Sequence, residues 1–279
     1  MNDAPPPQPP PAPRPTVALR GRHDLSEIVG YAYRIYARNF AALFALALLT
    51  VPLRLLQGVI EDRVPNDLKG ISGLLALPEA IVGIIASAAI VFAVHEISAG
   101  TRPEFARSLD ATFERIAPLV TTTLLAAVLA IFALFAAPLL AIYWLFRRDA
   151  TIDGGRNWWL AIVPFALALY LVVRWVFVPQ AVMLEDKRNW AALDSSATYM
   201  RGAWWRTFGI LLVVGLIQAG PIILASASSA LTPLASAAII GFAFALVLPF
   251  YATAQTLLYY DLKSRKEADV STDRLAAAE

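Results

Sequence analysis

The chain has 279 residues, of which 58% are hydrophobic and only 16% charged, and its mean hydropathy is +0.61. Soluble domains are roughly 45–50% apolar and about 25% charged, so this composition excludes an ordinary soluble enzyme, a disordered protein and a small disulfide scaffold. A net charge of +2 gives no indication of nucleic-acid binding, and the lack of cysteine excludes disulfides and thiol chemistry. The sequence therefore predicts an all-α integral membrane protein with no nucleic-acid partner.

The chain begins with a proline-rich segment that includes the run at residues 5–11. Proline fixes an extended backbone and lacks an N–H donor, so residues 1–23 are predicted to form a disordered tail. This tail is either a ligand for a proline-binding domain or a solubilising segment. Residues 24–262 are predicted to form the membrane domain, and residues 263–279 a polar C-terminal tail.

Six apolar stretches are long enough to cross a membrane, since a helix needs about 20 predominantly apolar residues to do so. They cover residues 40–60, 74–97, 119–146, 158–184, 208–227 and 234–260. The loop between the last two is short and uncharged, which leaves open a single re-entrant feature in place of two spans.

The lysine and arginine residues orient these spans. Most of the 23 basic residues fall on the side that holds both termini and the connections at 98–117 and 185–206. Cytoplasmic loops are enriched in basic residues, so both termini are predicted to lie in the cytoplasm and the protein in the cell's inner membrane.

Each pair of spans follows a segment with the period of an amphipathic helix. Asp24 and Glu27 are expected to cap the start of the first of these helices. Thr101 and Glu104 are expected to form a capping box at the second, and Asn189 is expected to cap the third. The layout predicts three interfacial helices on the cytoplasmic side and three copies of a helix–span–span unit. The three apolar stripes are Leu25, Ile28, Val29, Ala32, Ile35 and Tyr36; Phe105, Leu109, Phe113 and Ile116; and Trp190, Leu193, Ala197 and Met200.

Two motifs lie at the predicted cytoplasmic edge. One is the Trp-Trp-Arg-Thr-Phe-Gly run at 204–209, and the other is the run at 255–267 that contains Tyr259, Tyr260 and Asp261. With the helix-plus-hairpin layout, they resemble the multi-span membrane domain fused to some bacterial glycerophosphodiester phosphodiesterases, and its stand-alone relatives. The resemblance implies the fold but no catalytic residues, because the phosphodiesterase activity belongs to a separate soluble barrel that this chain does not contain.

The sequence lacks the common motifs for nucleophilic catalysis, phosphate binding and metal binding. It therefore predicts no enzyme activity, no catalytic residues, no metal and no cofactor. The neighbours His95 and Glu96 either shuttle a proton or form a solvated helix end. Glu79 is either an interfacial charge or an ion ligand.

Arg174 lies within the fourth predicted span, where a charge costs about 2.5–3.5 kcal/mol and usually faces the bundle interior. Gln218 and Gln255 face the same problem in the fifth and sixth spans. We predict an intramembrane polar cluster of Arg174, Gln218 and Gln255. It either holds a lipid phosphate or an anionic substrate group, or it joins the helices by hydrogen bonds.

Every predicted span contains a proline, and kinked or broken helices are typical of transporters. Pro249, Pro164 and Pro221 are the prolines that lie deep enough in their spans to be expected to affect the helices. Small-residue pairs that begin at Gly83, Gly215 and Gly241 predict close helix packing.

Two functions fit these patterns. The first is a non-enzymatic membrane-organising or accessory component that engages inner-leaflet lipid or a protein partner. The second is a small transporter or channel for an anionic or lipid-like substrate. The sequence gives no oligomeric state.

Overall fold

The computed structural model describes residues 24–65, 73–147 and 159–276, and every regular element in these ranges is a helix. The proline-rich tail predicted for residues 1–23 lies outside them. The α-helices, in chain order, are α1 (Leu25–Arg38), α2 (Phe40–Ala47), α3 (Val51–Arg63), α4 (Ala76–Ser98), α5 (Phe105–Glu114), α6 (Ile116–Arg147), α7 (Trp159–Arg174), α8 (Val178–Glu185), α9 (Trp190–Met200), α10 (Trp204–Ser226) and α11 (Pro233–Ala276).

Six helical stretches of the described chain are long and apolar enough to cross a membrane. They are Phe40–Arg63, Gly73–Ser98, Ile116–Phe135, Val163–Glu185, Trp204–Ser226 and Pro233–Ala268. This confirms the all-α class and the six predicted spans as helices of sufficient length and hydropathy. The last two are separate helices that pack against each other, joined through a 3₁₀ turn at Ala227–Ala230, and each is long enough to be a span of its own.

The short helices α1, α5 and α9 precede the first, third and fifth spans. We call the end of the bundle at which these odd-numbered spans begin the short-helix end. Each short helix is followed by two spans, which is the order that the triplication predicts. Descent from a repeated unit stays a prediction.

Helix α11 is the centre of the bundle, because it packs against α1, α2, α3, α4, α9 and α10. It is also the longest helix of the described chain and continues through the residues predicted as a polar C-terminal tail, as far as Ala276. Tyr259 of α11 is fully buried in a cluster that includes Ile28 of α1, Phe177 just before α8, and Met200 of α9. The core is therefore organised around one helix rather than around a symmetric ring.

The first and fourth spans are broken. A 3₁₀ turn at Leu48–Thr50 separates α2 from α3, and residues 175–177 separate α7 from α8. Pro52 and Pro179 follow these breaks in the first turn of the new helix, where a missing N–H costs little. Pro164, Pro221 and Pro249 lie inside continuous helices, where each removes one intrahelical hydrogen bond. The expectation that these three matter most stays a prediction.

The three apolar stripes do not all face outward. Ile28, Ala32 and Ile35 of α1 are buried against α11, and most of the α9 stripe is buried as well. On α5 the buried residues are Ser108 and Thr112, while Phe105 and Phe113 are 41% and 52% exposed. Of the three, α5 is the helix whose apolar side chains remain open to its surroundings.

The helix ends also differ from the capping prediction. The Glu27 carboxylate accepts from the Asp24 N–H, as expected. The Thr101 hydroxyl instead donates to the carbonyl of Glu96, and α5 begins after Glu104. Asn189 flanks α9, but its side chain forms no capping bond.

Helices α3 and α11 approach each other closely at Gly58. A Cβ atom on Gly58 would lie 2.6 Å from the Cβ of Ala237 and 3.0 Å from the Cα of Leu234. One on Gly241 would lie 3.3 Å from the Arg54 side chain, whereas those on Gly83 and Gly215 would meet nothing within 4 Å. The small-residue prediction therefore holds at Gly241 and is wrong at Gly83 and Gly215.

Candidate functional site

Two of the three residues of the predicted polar cluster lie at the break in the fourth span. Arg174 ends α7, and its guanidinium donates to the Tyr170 hydroxyl at 2.7 Å. The Gln255 amide donates to the carbonyl of Val176 at 2.7 Å. Gln218 lies within α10, and none of its hydrogen bonds among the described residues is to Arg174 or Gln255. The structure thus brings Arg174 and Gln255 to one break without a bond between their side chains, and it does not bond Gln218 to either.

The backbone groups freed by this break are bonded by side chains from neighbouring helices. Ser196 of α9 donates its hydroxyl to the carbonyl of Arg174 at 2.9 Å and accepts from the N–H of Phe177 at 3.3 Å. Gln255 of α11 bonds the carbonyl of Val176. Free backbone groups are costly in a bilayer unless the protein satisfies them, so Ser196 and Gln255 stabilise the broken span.

The consecutive residues Tyr259, Tyr260 and Asp261 of α11 contact three different helices. The Tyr259 hydroxyl donates to the Glu185 carboxylate of α8 at 2.5 Å. The Tyr260 hydroxyl lies 2.6 Å from Nδ1 of His95 on α4. Asp261 pairs with Arg206 of α10 at 2.8 Å. Because successive helical residues point about 100° apart, this motif can hold three neighbours of α11 at once.

Glu185 is the most heavily bonded carboxylate of the described chain. Its side chain is 8% exposed, and it forms ion pairs of 2.8 Å with both Lys187 and Lys263. It also accepts from the Ser195 hydroxyl at 3.0 Å and from those of Tyr199 and Tyr259 at 2.6 and 2.5 Å. Five donors from α9, α11 and the α8–α9 connection therefore converge on two oxygens, which fills the acceptor capacity of a carboxylate.

An ion pair joins the two motifs that the sequence singles out. Arg206 of the Trp-Trp-Arg run contacts Asp261 of the Tyr-Tyr-Asp run, and the Asp261 side chain is fully buried. Arg265, one turn further along α11, contacts the same carboxylate at 3.0 Å. Trp204 stacks on Tyr170 with ring centroids 5.8 Å apart, so the same run also contacts the helix that ends at Arg174.

Glu96 is a third buried carboxylate, near the short-helix end. Its side chain is 5% exposed and lies 3.0 Å from the Arg107 guanidinium of α5, without the alignment of a hydrogen bond. Its neighbour His95 bonds Tyr260 rather than Glu96. The two residues thus point to different partners, which gives no direct proton path between them.

These groups form what we call the inner network, namely His95, Glu96, Arg107, Glu185, Lys187, Ser195, Tyr199, Arg206, Tyr259, Tyr260, Asp261, Lys263 and Arg265. Burial, followed by the bond to Glu185, raises the pKa of Tyr199 to about 12, so this hydroxyl keeps its proton at neutral pH. The carboxylates of Glu185 and Asp261, which are bonded by several donors, are suited to joining helices rather than to accepting a substrate proton. No group of three or more His, Cys, Asp or Glu side chains suited to a metal occurs among the described residues.

Exposed aromatic and basic side chains surround the inner network. The exposed aromatic set consists of Tyr33, Phe105, Phe113, Trp190 and Trp205. The exposed arginines on or beside the short helices, outside the inner network, are Arg34, Arg38, Arg102, Arg188 and Arg201. Aromatic rings and long basic side chains both favour the headgroup region of a bilayer.

Sequence reasoning missed Glu185, Ser196 and Tyr199. Glu185 directly follows the fourth predicted span, and its partner Lys263 lies 78 residues further along the chain. The one local signal is Lys187, two residues after a carboxylate that ends an apolar stretch. That signal is too common in membrane proteins to identify a network.

Comparison with known proteins gives one match. A family model described as a domain of unknown function, DUF8558, matches residues 75–278. No curated protein matches the chain, and no solved structure does. The resemblance to the phosphodiesterase-associated membrane domain therefore stays a prediction. Since the family model covers most of the chain, from the second span through α11, this protein belongs to the DUF8558 family of unknown function.

Proposed function

We propose that this chain is a non-enzymatic membrane protein whose short-helix end engages anionic lipid of the inner leaflet, as a membrane-organising or accessory component. The observation that carries the proposal is the contrast at this end between saturated and open groups. The buried carboxylates Glu185 and Asp261 are neutralised from within the protein. The aromatic rings and arginines around them are open to the surroundings.

The chemistry of the open groups favours anionic lipid over a soluble substrate. Phe105 and Phe113 of α5 provide an apolar surface, and Arg102 lies beside the start of that helix. Basic residues near an anionic membrane surface contribute about 1 kcal/mol each. A protein partner that binds the same surface is the other form of this proposal.

The orientation and the repeat are part of the proposal. The excess of basic residues on the side of the termini supports an inner-membrane protein with both termini in the cytoplasm. The repeated order of short helix, span and span supports an internal triplication. A reporter fused after Glu279 that is active only outside the cytoplasm would overturn the orientation.

The lipid proposal is tested with purified protein in nanodiscs of phosphatidylcholine, with and without phosphatidylglycerol. A ligand that binds only the folded state raises its thermal stability, so we expect phosphatidylglycerol to raise the melting temperature. The double variant F105S/F113S should lose most of this increase, while the control L216S, in the exposed middle of α10, should keep it. An equal increase in both variants would argue against a role for α5.

A small transporter or channel is the second candidate, and the broken first and fourth spans favour it. Unwound backbone near the middle of a membrane is typical of transporter substrate sites. At the fourth span, however, the freed groups of Arg174, Val176 and Phe177 are already bonded by Ser196 and Gln255. Substrate-dependent flux into proteoliposomes that contain only this protein would establish the transporter and overturn the first proposal.

A further inference from the structure

A cavity of about 270 Å³ lies between α3 and the start of α11, at the end of the bundle opposite the short-helix end. We call it the outer cavity. Its polar lining comes from Arg54, Gln57 and Glu61 of α3 and from Ser236 of α11. It lies beside the close approach of α3 and α11, where Gly58 meets Ala237. It shares no residue with the inner network.

The three α3 residues form one face of that helix, because spacings of three and four bring side chains onto the same side. This face is turned toward α11 rather than toward the surrounding lipid. A polar face within a membrane-spanning helix is costly unless its groups are paired or line a polar space. The lining groups that have no partner within the protein therefore indicate which ligand would complete the outer cavity.

The charge of Arg54 is already neutralised. Its guanidinium lies 2.6 Å from the Glu79 carboxylate of α4, with the two side chains 35% and 26% exposed. Glu79, predicted to be either an interfacial charge or an ion ligand, is thus the partner of Arg54. Among the cavity-lining residues that the structure describes, this pair leaves no unmatched cation to hold an anionic ligand.

The remaining groups are acceptors without enough donors. The Gln57 amide nitrogen donates to Glu61 at 3.2 Å, but Oε1 of Gln57 is buried and has no hydrogen-bond partner among the described residues. In that part of the chain Glu61 receives this one bond and no ion pair. Among the described residues, the cavity therefore presents a carboxylate, a buried amide oxygen and the Ser236 hydroxyl, with one negative charge in excess. The Ser236 oxygen accepts from the Ser228 hydroxyl at 3.2 Å, which leaves its second lone pair open to another donor.

We propose that the outer cavity binds a primary ammonium group, with Glu61 as the counter-ion and Gln57 Oε1 as a hydrogen-bond acceptor. An ammonium group carries three N–H donors, which match Glu61, Gln57 and Ser236. A free small amine and the headgroup of phosphatidylethanolamine share this chemistry. The cavity has room for such a headgroup.

The first test uses the full protein in phosphatidylcholine nanodiscs, titrated with ethanolamine or with choline. Ethanolamine should raise the melting temperature in a saturable way. Choline should not, because its quaternary nitrogen has no N–H to donate. Equal effects of the two would overturn the proposal.

The variant E61Q should bind ethanolamine at least tenfold more weakly, and S236L, which fills the cavity without a change of charge, should also lose binding. The control E104Q alters an exposed carboxylate at the short-helix end and should bind as the unmodified protein does. If E61Q does not fold, S236L decides the outcome. Unchanged affinity in a folded E61Q would contradict the assignment of Glu61.

The source of the ammonium group is decided by lipid exchange. If a headgroup occupies the cavity, phosphatidylethanolamine nanodiscs should abolish the response to ethanolamine, and mass spectrometry should find that lipid retained by the protein but not by S236L. If a free amine is the ligand, the response should persist in both lipids. No response to ethanolamine combined with no retention of phosphatidylethanolamine would overturn the inference. None of these results depends on whether the short-helix end binds anionic lipid.

Discussion

At the scale of single residues, the inner network joins helices that are distant in sequence. Tyr259, Tyr260 and Asp261 could be singled out in the sequence by their resemblance to a known motif, but their partners could not. Ser195, Tyr199 and Lys263 reach Glu185 because three helices meet there. Sequence spacing within one helix predicts contacts on that helix only. The same limit applies to Gln218, chosen for its polarity within a span, because the bond that Gln255 forms is to the carbonyl of Val176 instead.

Replacing Glu185 by glutamine tests this network. Glutamine keeps one acceptor oxygen but brings an NH₂ group against lysine and tyrosine donors, so several bonds are lost at once. The two lysines are about a third exposed, so water offsets part of the loss. We expect E185Q to cost about 2 kcal/mol, measured as a lower melting temperature in detergent.

The exposed Glu104 provides the matched control for this change, since E104Q removes a carboxylate from α5 without removing a hydrogen bond. E104Q should melt within error of the unmodified protein. Equal melting temperatures for E185Q and E104Q would show that the Glu185 bonds contribute little to stability.

At the scale of elements, prolines alone do not predict where a span breaks. Pro179 and Pro221 both lie in predicted spans, yet of these two prolines only Pro179 follows a break in its helix. At that break the freed carbonyls and N–H groups find Ser196 and Gln255 as partners. The sequence could indicate Gln255 as a polar group in need of a partner, but not that its partner is the backbone.

Removal of the Ser196 hydroxyl tests this explanation of the break. In S196A the carbonyl of Arg174 and the N–H of Phe177 lose their partner in a buried region. An unsatisfied buried group costs about 1–3 kcal/mol, so S196A should lower the melting temperature clearly. S226A should have little effect, because the Ser226 hydroxyl bonds only its own helix, at the carbonyl of Ile223.

Equal effects of S196A and S226A would mean that water, rather than Ser196, satisfies the broken span.

The contact between α3 and α11 yields a second prediction at this scale. In G58A the new methyl group would lie 2.6 Å from the Cβ of Ala237 and would force the two helices apart. Overpacking of this kind costs about 1–3 kcal/mol. G83A meets nothing within 4 Å and replaces glycine inside a helix, so it should be neutral or stabilising by up to about 1 kcal/mol. The same melting temperature for both variants would contradict the close approach at Gly58.

At the scale of the whole molecule, hydropathy was sufficient to find the six spans, because a bilayer imposes one length on every crossing helix. The position of α11 at the centre was not accessible in this way, since all six stretches are similarly apolar. Hydropathy also could not separate the short helices, of which α1 and α9 turn their apolar residues to the bundle and α5 leaves Phe105 and Phe113 open. Which faces remain exposed is a property of the assembled bundle, and the proposed function depends on it.

The most direct test of the proposed function is the composition of the lipid that the protein retains in the membrane of the cell. Protein extracted with its surrounding lipid in polymer-bounded nanodiscs should hold anionic phospholipid at about twice its fraction in the bulk membrane. A variant with exposed arginines Arg38, Arg188 and Arg201 replaced by glutamine should fall to the bulk fraction. The control R63Q, at the opposite end of the bundle and 82% exposed, should keep the enrichment. A bulk composition around the unmodified protein, or equal enrichment in the triple variant, would contradict the proposal that the short-helix end engages anionic lipid.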